Sequence, residues 1–185
     1  TESAQAYGLD DASFSTQAYF FDMDLDGDLD MYLVNHPGDM REANNINAVQ
    51  QGDGTLRVHQ REDLTYISDR LYRQDKGRFT DISDKAGIRN EAFGLSAAVG
   101  DFNSDGLPDI YVCNDYVKPD QLWLNHGNGT FTDEFNAHFA NSSFSSMGSD
   151  LADVNNDGLP DLITADMTAR DHYRYQSLGM VANYD

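Results

Sequence analysis

Cysteine occurs once in this chain, at Cys113, so no disulfide within the chain can staple its loops. Basic residues are scarce as well: Lys and Arg number 12 against 32 Asp and Glu, a formal charge of -20. Such a charge repels nucleic-acid phosphates and anionic lipid and attracts cations, so nucleic acid is not an expected partner. No apolar run approaches the roughly 18 residues that a transmembrane helix needs, and Thr1 opens no charged-then-apolar leader, so membrane insertion is not expected. Helix signals are poor throughout. What remains is 39% hydrophobic and 11% aromatic, enough for a folded core, with an excess of Asp, Asn and Gly that belongs to turns and oxygen-ligand cages. If such a chain is secreted, something other than sulfur has to hold its loops, and metal is the candidate.

The chain repeats itself. Three nonapeptides begin at Asp22, Asp101 and Asp153, and all read Asp-x-Asp/Asn-x-Asp-Gly-x-x-Asp. The second and third start 52 residues apart, and the same offset carries Gly77-Arg78-Phe79-Thr80-Asp81 onto Gly129-Thr130-Phe131-Thr132-Asp133. The first and second start 79 residues apart; the excess of 27 lies between His36 and Arg70, where Gly52-Asp53-Gly54-Thr55 signals an additional hairpin turn. That stretch reads as an insertion. A repeat of this length cannot bury a core alone and matches the roughly 40 to 50 residues of a propeller blade, so successive units have to stack.

Each nonapeptide is followed by a short run of β-formers: Met31-Tyr32-Leu33-Val34, Ile110-Tyr111-Val112-Cys113 and Leu162-Ile163-Thr164-Ala165. Near-continuous apolar runs suit inner strands covered on both faces. Leu71-Tyr72 and Leu122-Trp123 then open strands that reverse at Asp75-Lys76-Gly77 and Gly127-Asn128-Gly129. The expected fold is all-β: propeller blades of four-stranded antiparallel sheets, about three of them visible, in a larger ring. The expected segments are 1–36, part of a blade with the first loop; 37–69, the insertion; 70–120, a blade with the second loop; and 121–185, a blade with the third loop and the start of the next. The 79-residue offset places Thr1 on Thr80, which reads as an opening inside a repeat.

The nonapeptide fits calcium. Ca²⁺ takes six to eight hard oxygens in flexible geometry, and alternate positions of a tight loop aim side chains at one centre. Asp22, Asp24, Asp26 and Asp30 supply side-chain oxygens in the first loop, Asp101, Asn103, Asp105 and Asp109 in the second, and Asp153, Asn155, Asp157 and Asp161 in the third. The seventh residues, Asp28, Leu107 and Leu159, supply backbone carbonyls. Gly at position 6 permits a bend that a Cβ would obstruct, and Pro108 and Pro160 push Leu107 and Leu159 toward extended geometry. Without a cation the carboxylates of one loop repel one another. A solvated turn explains a single copy of such a cluster, but less well three copies in register. An EF-hand or dockerin loop shares the first half of the pattern yet needs a bidentate Glu at position 12, where this chain has Leu33, Val112 and Thr164.

Together, the loop motif, the apolar strand after it and the Leu71-Tyr72 to Asp81 and Leu122-Trp123 to Asp133 hairpins resemble the FG-GAP/VCBS repeats of integrin-α-like propellers. They are especially similar to bacterial secreted proteins related to cartilage acidic protein, of the ASPIC/UnbV type, and Asp166-Met167 to Asn183-Tyr184-Asp185 is similar to the segment that comes after a blade in those proteins. The resemblance implies about three structural calcium ions on the loop residues named above and an extracellular location, secreted or at the cell surface. It also implies a binding or adhesion role toward a protein or glycan of the surface or matrix.

Other residues invite weaker readings. His36, His59, His126, His138 and His172 have no metal spacing, Cys113 in an apolar strand reads as an inert thiol, and Tyr19, Phe20 and Phe21 read as packing between blades. The sequons at Asn128 and Asn141 decide nothing. Carboxylates saturated by calcium cannot serve as acid and base, so no enzyme activity is expected. The alternatives are a structural subunit that associates with further copies of itself and, less favoured, a glycan-active enzyme on the same scaffold.

Overall fold

The computed structural model describes residues 2–38, 48–50, 52, 56–58, 67–90, 93–115, 119–143 and 145–167. It is mostly β. The first sheet runs β1 (Ser15–Phe21), β2 (Asp30–Asn35), β5 (Arg70–Asp75) and β6 (Arg78–Asp81), each antiparallel to its neighbour. Between β2 and β5 the chain leaves the sheet and makes a separate hairpin of β3 (Ala48–Gln50) and β4 (Leu56–Val58), paired Ala48 to Val58 and Gln50 to Leu56. This hairpin lies within the 37–69 stretch; its turn residues Asp53, Gly54 and Thr55 lie outside the described residues.

The second sheet has the same order, β7 (Gly94–Gly100), β8 (Asp109–Asn114), β9 (Gln121–Asn125) and β10 (Phe131–Asp133). Of the third, β11 (Ser146–Ala152) and β12 (Asp161–Asp166) are described. The expectation of four-stranded antiparallel blades holds for two sheets. A sheet takes its first two strands from one repeat and its last two from the next: the segment 70–120 gives β5 and β6 to the first sheet and β7 and β8 to the second. The segment 168–185, with its expected start of another blade, lies outside the described residues, as do His59 and His172.

Local chemistry explains the element ends. Lys76 and Gly77 join β5 to β6 with φ of 52° and 80°, the paired left-handed conformation of a two-residue hairpin whose twist matches its strands. Each first strand carries a register shift at the same place, at Ser15/Gln17, Gly94/Ser96 and Ser146/Gly148. Among the described residues helix is confined to single turns, α1 (Ala4–Tyr7), α2 (Ser83–Ala86) and α3 (Phe135–His138). Among the described residues no helix is long and apolar enough to cross a membrane.

The first strands β1, β7 and β11 lie side by side, with β7 in the middle, so the sheets stack face to face. Alternation along β8 feeds two cores. Ile110 and Val112 point to the first sheet and join Phe21, Tyr32, Val34, Leu71, Trp123 and Phe131. Tyr111 and Cys113 point the other way and join Leu122, Leu124 and Phe135, against which Leu162 of the third sheet packs. All six residues of β8 are therefore buried, and each fully buried aliphatic side chain contributes roughly 1.5–3 kcal/mol relative to exposure. Cys113 is a buried free thiol, held in its neutral form by desolvation.

Two expectations are corrected. The Leu162–Ala165 run does not form a strand covered on both faces: Ile163 is 50% exposed, because the described residues place a sheet on only one side of β12. Of the aromatic trio, Phe21 and Tyr19 pack between the first two sheets, but Phe20 is 55% exposed. Strand alternation turns Phe20 to the outer face of the first sheet, where it meets Phe79 edge-on at 6.3 Å.

Candidate metal centre

Each acidic nonapeptide is the connection between the first and second strands of its sheet, and all three fold alike. The backbone turns through the left-handed region twice, at Leu25, Ser104 and Asn156 (φ 60°, 61° and 61°) and at Gly27, Gly106 and Gly158 (φ 93°, 87° and 87°). The first position tolerates a side chain at some cost; the second is where glycine relieves it.

The side chains at positions 1, 5 and 9 hold this path by accepting backbone N–H groups. Asp22, Asp101 and Asp153 take the N–H of residue 5 on Oδ1 at 3.0, 3.1 and 3.1 Å. On Oδ2 they take the glycine N–H at 3.0, 2.8 and 2.9 Å. Asp26, Asp105 and Asp157 take the N–H of residue 7 at 2.9, 2.8 and 2.9 Å. Asp30, Asp109 and Asp161 reach back to the N–H of Met23, Phe102 and Val154 at 3.0, 2.9 and 3.0 Å. An ionised carboxylate offers about four lone-pair sites, so these bonds orient the oxygens without exhausting them.

The third residue separates the loops. In the second and third it is Asn103 and Asn155, whose amide donates to Asp105 and Asp157 Oδ2 at 2.9 and 3.0 Å while its oxygen accepts the N–H of the same Asp. In the first loop it is Asp24, and single carboxylate oxygens of Asp22, Asp24 and Asp30 all lie within 4.8 Å of one another, a cluster that could hold a metal ion. Hard oxygens converging from one short loop suit a hard divalent cation.

The ninth carboxylate is the buried one. Asp30 and Asp109 are 1% and 0% exposed, and their second oxygen accepts a backbone N–H from the third strand of the sheet, Gln74 and Asn125, each at 2.8 Å. Burial raises both above the usual carboxylate range; the two N–H bonds counter this, and the loop's other aspartates add to it. A cation in the loop would relieve both the burial and the repulsion. Asp161 is only half-buried.

A second repeated polar cluster escaped the sequence reading. At the opposite end of β2, buried Asp69 accepts from the Tyr32 hydroxyl at 2.7 Å, from Asn35 N at 2.7 Å and from the Asn90 amide at 2.8 Å. Asp120 does the same in the second sheet, accepting from Tyr111, Asn114 N and Ser146 at 2.6, 2.9 and 2.7 Å. Desolvation pushes Asp69 up to about 6 against those hydrogen bonds. The signal was present: Tyr32-x-x-Asn35 and Tyr111-x-x-Asn114 keep the 79-residue offset.

No curated protein was found to match the chain. A family profile described as FG-GAP-like repeat matches residues 22–112 and 101–164, starting each time on the first aspartate of a loop. Because these matches run from the first loop into β12 and take in well over half of the sequence, the chain belongs to the FG-GAP-like repeat family.

Proposed function

We propose that this chain is an extracellular, calcium-stabilised repeat module of propeller type that displays its loops to a protein or glycan partner, and that its ions are structural. The observation that carries this reading is the threefold recurrence of one loop geometry, with every carboxylate at positions 1, 5 and 9 fixed by the same N–H bonds. Calcium would be held by Asp22, Asp24, Asp26, Asp30 and the Asp28 carbonyl in the first loop. Asp101, Asn103, Asp105, Asp109 and the Leu107 carbonyl would hold it in the second, and Asp153, Asn155, Asp157, Asp161 and the Leu159 carbonyl in the third. Its chemistry there is charge neutralisation and cross-linking of backbone, with no bond made or broken, which supports a binding role over an enzymatic one.

The extracellular setting rests on affinity: extracellular calcium modules bind at roughly 10⁻⁴ to 10⁻³ M, which leaves them filled outside the cell and empty in the cytosol. FG-GAP-like repeats are typical of extracellular proteins, and the chain's membership of that family supports this placement.

Calorimetric melting with calcium and with a chelator tests the proposal. A site held at a hundredfold its Kd adds about 2.7 kcal/mol, worth on the order of 5–10 °C for a chain of this size. Coincident melting curves would rule the reading out.

A further inference from the structure

Asparagine followed by glycine occurs once in the sequence, at Asn128-Gly129 in the turn of the β9–β10 hairpin, and each acidic loop carries aspartate followed by glycine, at Asp26-Gly27, Asp105-Gly106 and Asp157-Gly158. Asp53-Gly54 lies outside the described residues. In such pairs the backbone nitrogen can close on the side chain before it, because glycine puts no Cβ in the way. All four turn alike: Oδ1 of Asp26, Asp105, Asn128 and Asp157 accepts the N–H of the residue after the glycine, at 2.9, 2.8, 3.0 and 2.9 Å. They differ at the glycine N–H. In the acidic loops Asp22, Asp101 and Asp153 hold it at 3.0, 2.8 and 2.9 Å; at Gly129 it has no partner among the described residues.

We propose that Asn128 is a self-modification site, at which the folded chain converts its own side-chain amide to aspartate or isoaspartate, while the first aspartate of each acidic loop guards the Asp-Gly pair of that loop from the same chemistry. The Gly129 nitrogen gives its proton to a solvent base and attacks Cγ of Asn128. The N–Cγ bond forms, the Cγ–Nδ2 bond breaks, and Nδ2 takes a proton from water and leaves as ammonia. Water then opens the cyclic imide at either of its carbonyl carbons. Breaking the new N–Cγ bond gives aspartate; breaking the original peptide bond gives isoaspartate. Nothing is oxidised or reduced, and water is the co-reactant.

The hairpin favours the first step. The Thr130 hydroxyl donates to Asn128 Oδ1 at 2.6 Å beside the Thr130 N–H at 3.0 Å, so two donors meet the oxygen on which negative charge develops. Asn128 is exposed, which lets ammonia leave directly to water. At Gly129, with φ of +81°, a Cβ would meet nothing within 4 Å, so the approach to its nitrogen is open. The acidic loops share the open glycine but not the rest. There the group to be attacked is a carboxylate, and a second carboxylate on the glycine N–H disfavours loss of its proton. Isoaspartate would add a methylene to a hairpin tip that stands against the second acidic loop, since a Cβ on Gly127 would lie 3.0 Å from Leu107 Cδ1. None of this depends on the calcium reading above.

The test holds the intact chain in mildly alkaline buffer with chelator, made up in heavy-oxygen water, and maps the mass of its proteolytic fragments over time. Labelling by an isoaspartyl methyltransferase reads isoaspartate. We expect conversion at Asn128 at least as fast as in the same chain unfolded by denaturant, one heavy oxygen retained per event, and no isoaspartate at Asp26, Asp105 or Asp157. Thr130→Val keeps the N–H, loses the hydroxyl and should slow the conversion several-fold. Asn128→Gln, whose ring would need a further carbon, should stop it. Asp101→Ala should bring isoaspartate to Asp105 and leave Asp26 and Asp157 unchanged. Conversion at Asn128 much slower in the folded chain than in the unfolded one overturns the site. An unchanged rate in Thr130→Val overturns the part given to the hydroxyl, and isoaspartate at Asp105 in the unsubstituted folded chain overturns the guard.

Discussion

The side-chain amide of Asn125, in the second sheet, donates to the carbonyl oxygen of Met23, in the first sheet's acidic loop, at 2.8 Å. The same amide reaches Pro108 O at 3.2 Å, and the Asn125 backbone N–H holds Asp109. One residue thus fastens two consecutive loops to each other. Asn125→Ala keeps the backbone bond and frees both carbonyls, one of them in a buried contact. We expect a loss of about 1–3 kcal/mol, read as a lower melting temperature, with calcium binding weakened in the first two loops and unchanged in the third.

The ninth aspartates should not be equivalent even without metal. Asp109→Ala strands the N–H groups of Phe102 and Asn125, at about 1–3 kcal/mol each. Asp161→Ala strands only that of Val154 among the described residues. In chelator, denaturant titration should show the larger loss for Asp109→Ala; equal losses would contradict the division of oxygens described above.

Asp69 gives the calcium-free chain a pH dependence. Its folded value of about 6 lies above the ordinary 3.8, so the folded state binds the proton more tightly. The associated stability is full below about pH 4 and is lost as pH rises through about 6, a change on the order of 3 kcal/mol. Asp69→Asn presents an amide N–H₂ where Asn35 N, Tyr32 and Asn90 already donate, so it should melt earlier at every pH while the slope between pH 4 and 6 flattens. An unchanged slope would assign the titration elsewhere.

Gly94 and Gly106 separate two reasons for glycine. A Cβ on Gly94 would lie 2.6 Å from Val34 Cγ1, 3.0 Å from Asn35 O and 3.3 Å from Asp69 Oδ1, so Gly94→Ala should push the first two sheets apart at a cost of about 1–3 kcal/mol. A Cβ on Gly106 meets nothing within 4 Å, but φ is +87°. Gly106→Ala should cost about 1 kcal/mol of backbone strain and show itself mainly as weaker calcium binding in the second loop. Melting and calcium titration of the two variants should give opposite rankings.

The sequence made the loops legible because their chemistry is mostly local: nine residues contain the carboxylates, the glycine and the N–H groups that those carboxylates hold, apart from Gln74 N and Asn125 N on the third strands. The β8 core was legible too, since the near-continuous apolar run Ile110-Tyr111-Val112-Cys113 suits a strand covered on both faces. Asp69 was not, because its partners Tyr32, Asn35 and Asn90 lie 21 to 37 residues away and an isolated aspartate before a strand looks like a turn. The exposure of β12 was hidden for the opposite reason: Leu162-Ile163-Thr164-Ala165 repeats the pattern of its counterparts, and pattern cannot reveal whether a neighbouring sheet stands beside it. Gly94 also leaves a trace that only geometry shows. Ser15, its counterpart, donates to Asn35 Oδ1 at 2.8 Å, whereas Asn114 Oδ1, opposite Gly94, is buried without a hydrogen-bond partner among the described residues.

Trp123 is the chain's single tryptophan, 4% exposed and lodged in the core shared by the first and second sheets. Its intrinsic fluorescence is therefore a built-in gauge of one seam: emission should shift to the red when those two sheets part and stay silent when the third peels away. Compared with a whole-chain signal such as circular dichroism, that one indole tells which joint opens first.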